Sequence, residues 1–168
     1  LNSGTVNTDL VSLSKYSDTA VYAANKILPS IVGISITYNV TSSSPIYGWF
    51  GQGQNQSSSS QATASGSGII ISDDGYIVTN NHVVDSSSES TYYDISEATS
   101  VKVSLYGDET QYDAQIIGKD SQTDLAVLKI DKTGLTPAEF ADSDSVKVGE
   151  FAMAVGNPLD LGTSITCG

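Results

Sequence analysis

Residues 68 to 80, Gly-Ile-Ile-Ile-Ser-Asp-Asp-Gly-Tyr-Ile-Val-Thr-Asn, set two β-branched runs on either side of an Asp-Gly pair. Asp74-Gly75 offers the positive φ that a tight reversal needs, and the flanking runs suit a pleated surface, so the stretch reads as a hairpin of strands 68–72 and 76–80. Other segments repeat the theme. Ile31 to Tyr38 is β-branched with partial alternation, Val101 to Tyr106 alternates, Gly107-Asp108 turns the chain, and Gln111 to Gly118 and Leu125 to Ile130 follow. Short strands with turns and no helical pattern between them point to an all-β fold, a six-stranded antiparallel barrel in residues 31–132.

The remaining segments frame that barrel. Residues 1–15 read as a polar lead-in within a unit 1–30, where Asp18 to Leu28 has helical composition, Asp18 serves as N-cap and Pro29 stops the helix. The serine tracts at 42–44 and 57–60 make 39–65 a long flexible loop, which contains Trp49 and Phe50, and Asp85 to Ser100 reads as a second polar loop. After the barrel, 133–168 forms a connection and then two strands, Gly149 to Gly156 and Ser164 to Cys167. Gly156-Asn157-Pro158 marks a turn, because the residue before proline is extended.

Charge and composition exclude several functions. The net charge is −12, and the acid excess lies after Ser72. With no arginine and seven unclustered lysines, the electrostatic footprint of a nucleic-acid binder is missing. No run approaches the roughly 20 apolar residues of a membrane span. One cysteine rules out an internal disulfide and any Cys-based metal motif, and no cofactor is expected. The chain opens without a basic region followed by an apolar one, so it reads as a piece whose leader or anchor would lie outside it.

His82 is the sole histidine of the chain, at the end of an apolar strand. A lone histidine is often only a surface or core residue, yet imidazole is the side chain suited to move protons near neutrality. Asp124, just ahead of the strand Leu125-Ala126-Val127-Leu128, is the acid best placed to orient it. Asp113 and Asp120 are competitors, and all three also read as turn or surface charges.

Four ordered motifs give these two residues a context. Gly66-Ser67-Gly68-Ile69-Ile70-Ile71, Gly75-Tyr76-Ile77-Val78-Thr79-Asn80-Asn81-His82-Val83-Val84, Thr123-Asp124-Leu125-Ala126-Val127-Leu128-Lys129-Ile130 and Gly149-Glu150-Phe151-Ala152-Met153-Ala154-Val155-Gly156-Asn157-Pro158 resemble the HtrA (Deg) family of trypsin-like serine proteases. The resemblance runs from about Thr19 to the end of the chain, outside the two serine-rich loops. It implies a chymotrypsin-like double barrel, in which residues 31–132 are the first barrel and 133–168 carry the opening strands of the second. His82 would be the general base and Asp124 would fix its tautomer and stabilise the imidazolium.

The chain departs from the family pattern in one respect. No Gly-x-Ser-Gly-Gly occurs in its 168 residues. Cys167-Gly168 does not replace it, because Ile165 stands where a glycine would be wanted; Cys167 reads as a strand residue. By resemblance the nucleophile, oxyanion hole and specificity pocket lie beyond Gly168, so the chain alone is expected to hydrolyse nothing, and strands at 149–168 without partners are expected to self-associate. The resemblance further implies unfolded or extended polypeptide substrates, an extracytoplasmic location, a homotrimer, and a PDZ domain downstream. The alternative is a non-catalytic barrel that binds peptides by strand addition and loop contacts.

Overall fold

The computed structural model describes residues 13–42, 59–85, 93–157 and 163–168. Strand β1 (Ile31–Ser42) pairs along one edge with β2 (Ser59–Ile70) and along the other with β4 (Tyr93–Leu105). β2 turns into β3 (Tyr76–Asn80), β3 pairs with β6 (Leu125–Ile130), and β5 (Gln111–Asp120) joins β6 to β4. The order β1-β2-β3-β6-β5-β4 closes into a six-stranded antiparallel barrel.

Closure follows from the alternation in the sequence, because each strand offers one apolar face to a shared interior. Val32, Ile34 and Ile36 of β1 meet Ile70, Ile77, Val103, Leu128 and Ile130 there, none more than 1% exposed. Burying one such side chain fully stabilises the fold by roughly 1.5–3 kcal/mol. The hairpin between β2 and β3 is closed by Ile71 N donating to Tyr76 O at 2.9 Å, and Gly75 takes φ +106°.

Several expected boundaries are corrected. Helix α1 spans Leu13–Ile27, so Asp18 lies inside it and is not its N-cap. Leu13 to Ser17 contains no glycine or proline, and nothing there stops the helix from continuing backwards. Its other end does stop at a 3-10 turn, Leu28–Ser30, that contains Pro29. Residues 1–12 of the expected lead-in lie outside the described residues.

The loop expected at 39–65 loses both its ends to strands. Asn39 pairs with Gln61 and Thr41 with Ser59, while Thr41 and Ser42 also pair with Asp94 and Tyr93. The ribbon runs on because backbone donors and acceptors are indifferent to the serine-rich composition that argued for a loop. Trp49 and Phe50 lie outside the described residues. β4 likewise begins at Tyr93, inside the loop expected at 85–100.

Past the barrel, Leu135 N donates to Asp73 O at 3.1 Å and Ala138 N to Ile70 O at 2.9 Å, which fastens the connecting segment to the hairpin. A 3-10 turn at Ser143–Ser145 follows. β7 (Met153–Gly156) and β8 (Ser164–Cys167) then form an antiparallel pair, with Met153 opposite Cys167. The first of these strands starts at Met153, later than the Gly149 expected from sequence.

Candidate active site

β3 delivers the chain to a one-turn helix, α2 (Asn81–Val84), which carries His82. α2 is seated from three sides. Val84 is buried in the barrel, Tyr38 Oη donates to Val83 O at 3.1 Å, and Val83 lies against Gly66 of β2. A Cβ at position 66 would stand 2.6 Å from Val83 Cγ1, so the glycine is what lets α2 approach this closely.

A fourth fixing point is Asp124, which ends the turn between β5 and β6. It adopts φ +56°, a left-handed conformation that aspartate tolerates better than most residues. In that pose its carbonyl accepts from Asn81 N at 3.0 Å and its Oδ1 from His82 N at 2.9 Å. Asp124 thus satisfies two of the orphan amides at the start of α2 from the start of the neighbouring strand β6. Its Oδ2 lies 2.7 Å from His82 Nδ1.

The two competing acids are engaged elsewhere. Asp120 shapes the turn, accepting from Gln122 N at 3.0 Å and Thr123 Oγ1 at 2.8 Å, and Asp113 pairs with Lys102 across the β4–β5 ribbon at 2.9 Å. Of the three, Asp124 is the one brought to the ring. The main-chain amide of His82, then its ring, hold the Asp124 carboxyl below the usual aspartate range; the Asn80 amide adds to this and partial desolvation opposes it.

With Nδ1–H given to a carboxylate, neutral His82 keeps its lone pair on Nε2. The His82 side chain is 71% exposed. Cys167 stands in β8 opposite Met153, as a strand residue. Among the described residues no group of three or more His, Cys, Asp or Glu is placed to hold a metal ion.

Sequence reasoning missed the contacts that hold the pair. Asn80 Nδ2 donates to Asp124 Oδ2 at 3.1 Å and to Asp124 O at 3.2 Å. Ser67 joins the barrel to the segment beyond it, its Oγ accepting from Asn157 N at 2.8 Å and its carbonyl from Thr79 Oγ1 at 2.8 Å. Asn80 stands in the quoted motif two residues before His82, but a small polar residue at a strand end reads as a turn or cap. Only the fold shows where the asparagine donates.

The family described as Trypsin-like peptidase domain matches residues 66–168. A protein of Rhizobium meliloti named probable periplasmic serine endoprotease DegP-like is 47% identical over 102 residues, 60% of this chain and 18% of its own length. Periplasmic serine endoprotease DegP of Escherichia coli is 43% identical over 101 residues, 60% of this chain and 19% of its own. A variant of the HtrA-type protease AlgW, solved with a decapeptide, superimposes with a TM-score of 0.70 at 30% identity, over 89% of this chain and 44% of that one. The chain belongs to the HtrA (Deg) family of trypsin-like serine proteases. It spans under a fifth of the length of these two curated relatives.

Proposed function

We propose that these residues supply the general base, His82, and its orienting acid, Asp124, to a serine endopeptidase that cleaves peptide bonds of unfolded or extended polypeptides outside the cytoplasm. The carrying observation is the 2.7 Å contact between His82 Nδ1 and Asp124 Oδ2, together with the amide of His82 held on Oδ1 of the same carboxylate. A serine hydroxyl is a poor nucleophile until a base takes its proton, and a base held in one tautomer by a carboxylate does this at neutral pH.

The substrate class and compartment rest on the relatives, which are named periplasmic endoproteases, and on the neighbour with a decapeptide. Trimeric assembly, a second barrel and a PDZ domain enter on the family resemblance alone. These 168 residues contain no Gly-x-Ser-Gly-Gly, so the polypeptide by itself hydrolyses nothing; turnover of unfolded casein by the purified chain would overturn this.

The reading is tested by fluorophosphonate labelling of the full-length protein. Labelling is expected, and His82→Ala is expected to slow it on the order of 10⁴-fold or more. Labelling that is absent, or indifferent to His82→Ala, would sink the proposal and leave a barrel that binds without catalysing.

A further inference from the structure

Asn80 occupies the N-cap position of α2 with extended backbone, φ −77° and ψ 146°, yet makes no capping hydrogen bond. An N-cap asparagine ordinarily accepts the amide of the second or third helical residue through Oδ1. Here the amide of the second residue, His82, goes to Asp124 Oδ1. Asn80 turns its Nδ2 onto the same aspartate, 3.1 Å from Oδ2 and 3.2 Å from the carbonyl oxygen. With two acceptors in front of it, the amide nitrogen is the complementary end; an oxygen there would face two oxygens. A residue that abandons its local role for a distant partner marks a site where function has overridden local preference.

We propose that Asn80 is a positioning residue for the acid of the pair, its amide holding Asp124 Oδ2 in line with the His82 ring. The inference rests on the reading of His82 and Asp124 given above. An aspartate carboxylate turns readily about its last torsion, and a hydrogen bond to one oxygen narrows that turn less than hydrogen bonds to both. The main chain of His82 anchors Oδ1, and Oδ2 is shared between the ring and Asn80. Asp124's side chain is 43% exposed, so without Asn80 water competes for Oδ2 and the ring loses a fixed acceptor.

His82 is the sole histidine of these 168 residues, which makes this measurable in this polypeptide. With ¹⁵N-histidine labelling, the Nδ1–H of His82 gives one resonance, expected downfield and in slow exchange with water, and expected to be lost in Asp124→Asn. Asn80→Leu keeps the size of the side chain without its donor, and Asn80→Ala removes both. Because Asn80 is exposed, both variants are expected to retain the wild-type amide spectrum of the barrel. Both are also expected to raise Nδ1–H solvent exchange by about tenfold, the effect of one hydrogen bond to a charged group. A resonance that depends on Asp124 but exchanges at the wild-type rate in both Asn80 variants would overturn the proposal alone. One that is indifferent to Asp124→Asn would overturn both the proposal and the reading beneath it.

Discussion

The barrel and the segment after it contain similar apolar residues and place them in opposite environments. Within the barrel Ile34, Ile36, Ile77 and Leu128 are at most 1% exposed, whereas beyond it Phe140 is 76%, Val146 66% and Val148 fully exposed. The difference lies in topology. Six strands closed on one another enclose an interior, and among the described residues the two-stranded ribbon β7–β8 encloses none. Both members of the His82–Asp124 pair belong to the closed region, so the rigidity of the pair derives from the barrel, to which the later segment is tied at Asp73, Ile70 and Ser67.

The largest effect expected from this contrast is on stability. Ile34→Ala empties a fully buried position and is expected to cost roughly 2–5 kcal/mol in urea unfolding. Val148→Ala removes a side chain already in water and is expected to stay within about 0.5 kcal/mol. Comparable losses at the two positions would break the contrast.

Two glycines sharpen it at the next level. Gly75 in the barrel hairpin has φ +106°, and Gly134 in the connecting segment has φ +74°. Alanine at either is strained by about 1–2 kcal/mol. At Gly75 alone the new Cβ would also run into Ile130 O, while at Gly134 nothing lies within 4 Å. Gly75→Ala is therefore expected to lower the unfolding free energy by at least about 1 kcal/mol more than Gly134→Ala. Equal losses would show that the hairpin gives way as freely as the exposed segment.

What could be read from the sequence divides along physical lines. The barrel was legible because β-branched runs and an Asp-Gly turn are local signals, and Ile69 to Val78 carries both. The meeting of His82 with Asp124 was reached through motif resemblance, since nothing local to either residue encodes a partner on another strand. The extension of β1 and β2 through Asn39, Thr41, Ser59 and Gln61 was hidden because serine and threonine side chains say little about whether their backbone is paired. Asp18 misled for the opposite reason: a good capping residue was present, but the helix had no need to start there. Asn80 and Ser67 were out of reach, because each acts through a donor or acceptor whose partner lies far along the chain.

Ser67 is one of the points where the two regions meet, with Asp73 and Ile70, and its removal has the smallest expected effect. Ser67→Ala deletes the acceptor of Asn157 N and keeps the carbonyl that holds Thr79. One neutral hydrogen bond contributes about 1 kcal/mol, so the loss in global stability is expected to be of that size or less. Hydrogen exchange separates the regions more finely. The Asn157 amide is expected to exchange several-fold faster in the variant, while the amide of Ile77, inside the closed barrel, keeps its rate. If both amides speed up together, the ribbon and the barrel open as one cooperative unit, and the contrast between them is only one of exposure. If Asn157 alone responds, the closed barrel holds the His82–Asp124 pair independently of the Ser67–Asn157 contact.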